Sequence, residues 1–334
     1  MRSRSRHSRP SCSSEPSSQF WTSSILLILL VFGCCLEAQR LNHAERPGYD
    51  LRVPVDLVLV PVTVEDRDGR LVSGLQQNDF ALSEEGTVQK LSYFSADPAP
   101  LSVAFLLDRT VDERSEEIFK SNMQSLVEAF SSFDEMAFYE FLDSAHQMQN
   151  FTHNKELLLK PVARIEFVPI RVAGLSKNMP RLNTSFLDNA IMTAAYDLTR
   201  RAQDRRKIIL VASNGVVSPS ERRNYPQTRK YLIQNDILVY GIGLGNSTLF
   251  RKVDPLKKYA EPTGGEVLYP WKTRAFAETY QKISQAARNQ YVLGYVPQNL
   301  VQPETYRSIE VRVLREGWEG KVRHRKGYFA SANP

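Results

Sequence analysis

Cysteine is absent from this chain beyond its first 35 residues. All three cysteines, Cys12, Cys34 and Cys35, lie near the N-terminus. If this segment is removed on export, the remainder can form no disulfide and carry out no thiol chemistry. No group of histidines and cysteines has the spacing of a zinc site. Thiol catalysis and a disulfide framework are therefore excluded for the body of the chain.

Three further features are scarce. Glycine and proline, 16 and 18 residues, follow no three-residue period, which excludes collagen-like and low-complexity chains. The apolar run at 25–36 is too short for the roughly 20 residues of a membrane-spanning helix. The net charge of +6 is partly carried by arginines in the first ten residues, and the rest is scattered. We therefore expect no nucleic-acid partner.

The N-terminus has the pattern of a signal peptide. Residues 1–24 are rich in arginine and serine, the apolar run follows, and Ala38 is a small-residue cleavage candidate. A signal peptide over 1–38 predicts export to the periplasm, the envelope or the medium. A second interpretation stays open, because Val31 to Cys34 resembles a bacterial lipobox with lipidation at Cys34. Contact with a membrane is expected only through such a lipid or an uncleaved signal.

The rest of the chain divides by its hydrophobic pattern. Residues 39–52 are a polar linker, and 53–98 contain short β-rich runs that end at two prolines. From 101 to 289, apolar strands alternate with helical periods, which predicts an α/β domain with a mainly parallel sheet. Residues 290–330 return to β patterning, and the β-rich runs at 71–72, 88–94 and 321–329 are each predicted to form one strand. Because an isolated sheet of few strands is barely stable, we expect 53–98 and 290–330 to pair into one β-sandwich.

Three loops of the α/β part carry oxygen ligands. Asp108, Thr110 and Asp112 follow the first strand, Thr184 precedes a predicted helix, and Asn214 follows the strand at 207–212. Ligands of open parallel sheets bind at the carboxyl ends of the strands. Hydroxyl, carboxylate and amide oxygens are the ligands that Mg²⁺ and similar hard cations prefer.

The chain resembles a von Willebrand factor type A (VWA) domain, and more closely the VWFA-related family described from Acidobacteria. The resemblance covers about residues 53–330. Its motifs include Asp66-Arg67-Asp68-Gly69, Thr263-Gly264-Gly265, Gln290 to Tyr295 and Arg325-Lys326-Gly327-Tyr328. It implies a Rossmann-like fold and a metal-ion-dependent adhesion site (MIDAS) built by D-x-S-x-S, a Thr and an Asp on three loops.

Carried over residue by residue, the resemblance implies a degenerate metal site. Asp108 matches the first Asp of the motif, Thr110 the first Ser, and Thr184 the Thr. Asp112 stands where the second Ser would be, and Asn214 where the final Asp would be, so the number of formal charges is unchanged. Asp112 would either bind the cation directly or occupy the coordination position that a partner's acidic residue would fill. Another interpretation makes Asp112 the N-cap of the next helix.

Three function classes follow. The first is an exported, non-enzymatic adhesion-type VWA protein that binds a protein partner, through an acidic residue of that partner and a divalent cation such as Mg²⁺. The second is a metal-free VWA scaffold that binds through another surface. The third is an extracytoplasmic hydrolase, for which Ser213 would be the nucleophile, but no histidine has a sequence reason to lie beside it.

Overall fold

The computed structural model describes residues 57–168, 185–245, 254–270, 272–298 and 304–330. These all lie in one compact unit, Val55–Pro334. The predicted signal peptide, lipobox and linker lie outside the described residues, as does Thr184. Within the described ranges, no helix has the length and apolar character to cross a bilayer.

Fourteen strands and six α-helices make up the described chain. The strands are β1 (Val58–Glu65), β2 (Phe80–Glu84), β3 (Thr87–Gln89), β4 (Leu91–Ser95), β5 (Leu101–Asp108), β6 (Glu135–Phe141), β7 (Ala145–Thr152), β8 (Arg206–Ser213), β9 (Ile237–Gly243), β10 (Val267–Leu268), β11 (Tyr291–Tyr295), β12 (Tyr306–Val313), β13 (Lys321–His324) and β14 (Gly327–Phe329). The helices are α1 (Glu113–Glu128), α2 (Lys155–Leu159), α3 (Leu187–Thr199), α4 (Tyr225–Gln234), α5 (Leu256–Thr263) and α6 (Thr273–Arg288).

A six-stranded sheet forms the centre of the α/β part. Its order is β10-β9-β8-β5-β6-β7, parallel except for β7, which pairs with β6 as an antiparallel hairpin. β5 and β9 are buried along their whole length, because helices cover both faces of the sheet. The apolar stripes of α1 and α6 pack on one face, and those of α3, α4 and α5 on the other.

Two four-stranded antiparallel sheets form the β-sandwich. One has the order β13-β1-β11-β4 and the other β14-β12-β2-β3, so each contains strands from both ends of the chain. Alternation along β12 buries Ile309 and Val311 against Val60, Val62 and Leu293 in a shared core. The predicted fold class is confirmed: a Rossmann-like α/β fold with a mainly parallel sheet, flanked by terminal β segments in one sandwich. The exact domain boundaries stay a prediction.

Two predicted strands are each split in the structure. The run at 88–94 divides at Lys90 into β3, which pairs with β2, and β4, which pairs with β11 in the opposite sheet. The run at 321–329 divides likewise into β13 and β14. The predicted strand at Leu71-Val72 is reduced to a single bridge between Leu71 and Glu65. Each division lets one run contribute to both layers of the sandwich.

The two connections between the sandwich and the α/β part meet at Arg206, the first residue of β8. Its Nη1 donates to the carbonyls of Ala287 (2.7 Å) and Arg288 (2.8 Å), and its Nη2 to those of Gln290 (3.0 Å) and Asp97 (3.5 Å). Burial lowers the pKa of Arg206 to about 10. The carbonyls at the end of α6 compensate this charge through the helix dipole.

Candidate functional site

The loops after β5 and β8 lie side by side at the carboxyl edge of the central sheet. β5 ends at Asp108 and β8 at Ser213, and the strands are in register, with Leu107 opposite Ala212. The segment that precedes α3 reaches the same point, since Ser185 pairs with Val217 in a parallel bridge. Three separate loops therefore meet around one carboxylate.

Asp108 is fully buried and accepts four hydrogen bonds. Its Oδ1 accepts from the backbone N–H of Thr110 (2.8 Å) and from the Thr110 hydroxyl (2.6 Å). Its Oδ2 accepts from the hydroxyls of Ser213 (2.6 Å) and Ser185 (2.9 Å). A carboxylate offers about four lone-pair positions, so these donors use its whole capacity.

Asn214 joins the loop after β8 to the loop after β5. Its Nδ2 donates to the carbonyl of Thr110 (2.6 Å) and, at 3.2 Å, to its hydroxyl. Its Oδ1 accepts from the backbone N–H of Val216 (2.8 Å), which shapes its own loop. An aspartate here could accept the bond from Val216 but could not donate to Thr110. The amide therefore has a bonding role that a carboxylate could not fill.

Asp112 caps helix α1. Its Oδ1 accepts from the backbone N–H of Ser115 (2.9 Å) and its Oδ2 from the Ser115 hydroxyl (3.0 Å). A carboxylate at this position satisfies an N-terminal amide and favours the helix dipole. A Cβ on Gly245 would lie 2.4 Å from Asp112 Oδ2, so a larger residue there would displace this carboxylate. This is the placement that the helix-cap interpretation predicts.

Ser185, the residue after the predicted ligand Thr184, brings a hydroxyl to Asp108. Ser185 is buried, and besides its bond to Asp108 its backbone N–H donates to the carbonyl of Val216 (3.1 Å). This pairing with the loop after β8 fixes the position of Ser185 at the sheet edge. Thr184 lies outside the described residues and stays a predicted ligand.

The N-terminus of α3, directly after Ser185, is capped from another segment. Phe186 provides no side-chain cap; instead Glu221 accepts from the backbone N–H groups of Asp188 (2.8 Å) and Asn189 (3.0 Å). Asp188 accepts from Tyr259 and Thr228. Burial raises the pKa of both Asp188 and Glu221. These bonds hold the helix, and with it Ser185, against the sheet edge.

No basic side chain compensates Asp108 among its described contacts. The neighbouring Arg109 points elsewhere, with Nε donating to the carbonyl of Glu166 (2.7 Å) and Nη1 approaching Glu140 (3.5 Å). Burial therefore raises the pKa of Asp108, and its hydrogen bonds oppose this only in part. A buried carboxylate without a cation is costly and favours either protonation or a bound cation.

The oxygen atoms of this cluster are of the kind that coordinates a hard divalent cation, and most of them belong to hydroxyl groups rather than to carboxylates. Thr110, Ser185 and Ser213 donate their protons to Asp108, which leaves lone pairs on all three oxygens for a cation. The described residues contain no cluster of three or more His, Cys, Asp or Glu side chains that could hold a metal. Asp108 would supply the negative charge and orient the hydroxyls.

Of the five residues named from the sequence, the structure brings Asp108, Thr110 and Asn214 together. Asp112 lies nearby in the chain but bonds to α1. Ser213 and Ser185 complete the cluster, and neither was among the named ligands. Both adjoin named residues, so a search of flanking hydroxyl residues would have found them. Metal binding by any of these side chains stays a proposal.

Comparison with known proteins supplies distant structural likenesses alone. Neither a family model nor a curated protein matches this chain. An aerotolerance-related membrane protein from Bacteroides fragilis is 14% identical, with a TM-score of 0.43 over 55% of this chain and 99% of its own. A von Willebrand factor type A structure from Catenulispora acidiphila is 10% identical, with a TM-score of 0.45 over 77% of this chain and 76% of its own. Proximal thread matrix protein 1 of the mussel byssus, with a zinc-occupied MIDAS motif, is 12% identical, with a TM-score of 0.40 over 58% of this chain and 49% of its own.

Proposed function

We propose that this chain, which has the fold of a von Willebrand factor type A domain joined to a β-sandwich, is an exported, non-enzymatic protein that binds a protein partner. The observation that carries the proposal is the cluster at the carboxyl edge of the sheet. A buried carboxylate, Asp108, holds three hydroxyls from three loops and has no basic partner among its described contacts. Such an arrangement is better suited to binding a partner at a rigid site than to catalysing a covalent reaction.

In this proposal the residues of the cluster have separate roles. Thr110, Ser185 and Ser213 hold a divalent cation such as Mg²⁺ through hydroxyl oxygens, and Asp108 orients these hydroxyls. Asn214 holds the loop of Thr110 by hydrogen bonds and does not contact the cation directly. Thr184 and Asp112 remain candidate ligands of the same site. The cation, when bound, supplies a positive charge that an acidic residue of the partner can neutralise.

The contacts of Ser213 support a non-catalytic role. Its hydroxyl proton is directed to Asp108, and its oxygen accepts from the backbone N–H of Gly215 (3.0 Å). The described histidines have other partners: His146 bonds to Ser144, His153 to the carbonyl of Asp134, and His324 to that of Arg325. Among the described residues, Ser213 therefore has no histidine base that could activate it, and the carboxylate of Asp108 is shared with the hydroxyls of Thr110 and Ser185.

A metal-free scaffold is the second candidate function. It is supported by the complete hydrogen bonding of Asp108 and by the use of Asp112 as a helix cap. In this alternative the cluster only locks the three loops together. A partner would then bind through a different surface, and its affinity would not depend on divalent ions.

Thermal unfolding in the presence of Mg²⁺ distinguishes the two functions. The protein is first passed over a chelating resin, and MgCl₂ is then titrated at constant ionic strength with NaCl as the matched salt. A cation that binds only the folded state stabilises it by RT ln(1 + [L]/Kd), about 2.7 kcal/mol at a hundredfold excess over Kd. For a chain of this size each kcal/mol raises the melting temperature by about 2–4 °C.

The Thr110→Val and Ser213→Ala variants serve as ligand deletions, and Ser144→Ala, at the half-buried bend between β6 and β7, as the control. The metal proposal expects the Mg²⁺ shift to be lost in the first two variants and kept in the control. A melting temperature that does not respond to Mg²⁺ at millimolar concentration would establish the metal-free scaffold instead. Activity on generic ester, peptide or phosphate substrates would contradict both.

A further inference from the structure

A second site lies between the α/β part and the sandwich, away from the residues around Asp108. A cavity of about 390 Å³ opens between helix α5, the segment that leads from α5 into β10, and strand β13. Pockets for small molecules are typically about 300–1,000 Å³ and commonly form where two structural units meet. Neither the proposed cation site nor the partner-binding proposal uses this cavity.

The cavity walls carry an excess of positive charge. Four basic side chains, Lys257, Lys321, Arg323 and Lys326, face two acidic ones, Glu261 and Glu266. Glu266 is already engaged by Arg323 (2.8 Å) and, at 3.8 Å, by Lys321. Lys257 and Lys326 make no ion pair within the described part of the chain, so their charges remain available at the mouth of the cavity.

Arg323 lies at the buried side of the cavity with unused hydrogen-bonding capacity. Its side chain is 5% exposed, and its Nη1 pairs with Glu65 (2.6 Å) as well as with Glu266. Its Nε and Nη2 are buried and have no hydrogen-bond partner among the described residues. Buried donors are normally satisfied, so the two unpaired guanidinium nitrogens beside a cavity point to a missing hydrogen-bond acceptor.

His324, also in the wall, contributes no charge near neutral pH. Its Nδ1 donates to the carbonyl of Arg325 (2.7 Å), and its Nε2 accepts from the backbone N–H of Val311 (3.2 Å). This bonding requires the neutral ring, and burial lowers the pKa of His324 to about 4. The positive charge of the cavity therefore comes from lysine and arginine alone.

Glycine at position 264 brings the two walls together. Gly264 ends α5 with a φ of +91°, and a Cβ there would lie 2.7 Å from the carbonyl carbon of His324. The backbone N–H of Lys326 also donates to the carbonyl of Pro262 (3.1 Å). These contacts hold the backbone of Lys326 against the end of α5, the helix that carries Lys257, so the two lysines are joined to one framework through the backbone.

We propose that this cavity binds a small organic anion that carries a carboxylate or phosphate group. Lys257, Lys321 and Lys326 contact the oxyanion, and Arg323 supplies charge from the buried side. The apolar side chains of Val267 and Val322 in the same wall contact the carbon part of the ligand. Because both structural units form the walls, the bound anion also stabilises their junction.

The test measures thermal unfolding and isothermal titration with two probes, inorganic phosphate and succinate. Both are titrated at constant ionic strength with NaCl. Divalent metals are removed from the buffer with a chelating resin, because a soluble chelator is itself an organic anion and would compete for the site. The charge reversals Lys257→Glu and Lys326→Glu are compared with Lys258→Glu. Lys258 is an exposed lysine on the same helix that does not line the cavity, so it controls for the general loss of surface charge.

We expect at least one probe to raise the melting temperature of the parent protein and to saturate. Lys257→Glu and Lys326→Glu should each weaken its binding by roughly tenfold or more, and Lys258→Glu by less than roughly twofold. The tighter probe identifies the headgroup. An absence of saturable binding for both probes at about 50 mM, or an equal loss in Lys258→Glu, would overturn the proposal.

The anion site and the proposed function fail separately. Thr110→Val and Ser213→Ala should leave phosphate and succinate binding unchanged, because neither residue lines the cavity. Circular dichroism and the melting temperature in NaCl establish that each charge-reversal variant is folded. Since Lys257 and Lys326 make no described ion pair, we expect both variants to keep the parent fold.

Discussion

Replacement of Arg206 by alanine is expected to lower the free energy of unfolding by about 3–5 kcal/mol, the cost of removing one partner from a buried, charge-assisted network. The substitution removes the Arg206 donor from the carbonyls of Ala287, Arg288 and Gln290. It also releases the two connections between the sandwich and the α/β part. Urea unfolding followed by circular dichroism and by tryptophan fluorescence measures the loss.

Arg274→Ala is the matched control, because Arg274 is exposed on α6, the helix whose last carbonyls Arg206 contacts, and among the described residues it pairs only with Glu278 one turn away. Its loss should change stability by less than about 0.5 kcal/mol. Arg206→Lys keeps the charge but cannot reach several carbonyls at once, so it should fall between the two. If Arg206→Ala unfolds at the same urea concentration as Arg274→Ala, the junction does not depend on this guanidinium.

The second large effect concerns Asp108. Asp108→Ala removes the acceptor of the Thr110, Ser185 and Ser213 hydroxyls in a fully buried site, and we expect a loss of about 3–5 kcal/mol. Equilibrium unfolding in urea measures it. Asp204→Ala, at an exposed position, should change stability by less than about 0.5 kcal/mol. A loss for Asp108→Ala no larger than that of Asp204→Ala would show that the cluster does not hold the loops.

Asp108→Asn separates the charge of this residue from its packing. Burial raises the folded-state pKa of Asp108 above its unfolded value, so the folded state holds the proton more tightly. The stability that this carboxyl contributes is fully present below its unfolded pKa, about 3.9, and is lost as the pH rises through the folded pKa. The Asn variant should lack this part of the pH dependence. An unchanged profile would show that Asp108 is compensated in the folded protein.

The central sheet could be predicted because its signal is local. The eight residues of β5 are apolar except for Ser102 and the final Asp108, and their length and flanking prolines indicate a buried strand. The hairpin of β6 and β7 and the break of the helix at Pro161 follow from equally local features. In each case, turn residues or prolines and the spacing of apolar residues over a few positions determine where the strand or helix begins and ends.

The sandwich shows where local patterns stop being sufficient. The run at 88–94 is β-prone throughout, with neither glycine nor proline to divide it. The structure nevertheless turns it at Lys90 from one sheet to the other, because β2 and β11 present open edges on opposite layers. Which edge a strand joins depends on partners about 200 residues away in the chain, and no local period contains that information.

The chain's composition and periodicity by themselves determined the absence of cysteine chemistry in the body of the chain, the alternation of strands and helices, and the position of Asp108 at a strand end. Tertiary structure alone decided that Ser185 donates to Asp108, that Asp112 bonds to α1, and that Arg206 joins the two linkers. Periodicity specifies which residues are buried. Side-chain partners depend on the register between distant segments, which is set only when the whole core packs.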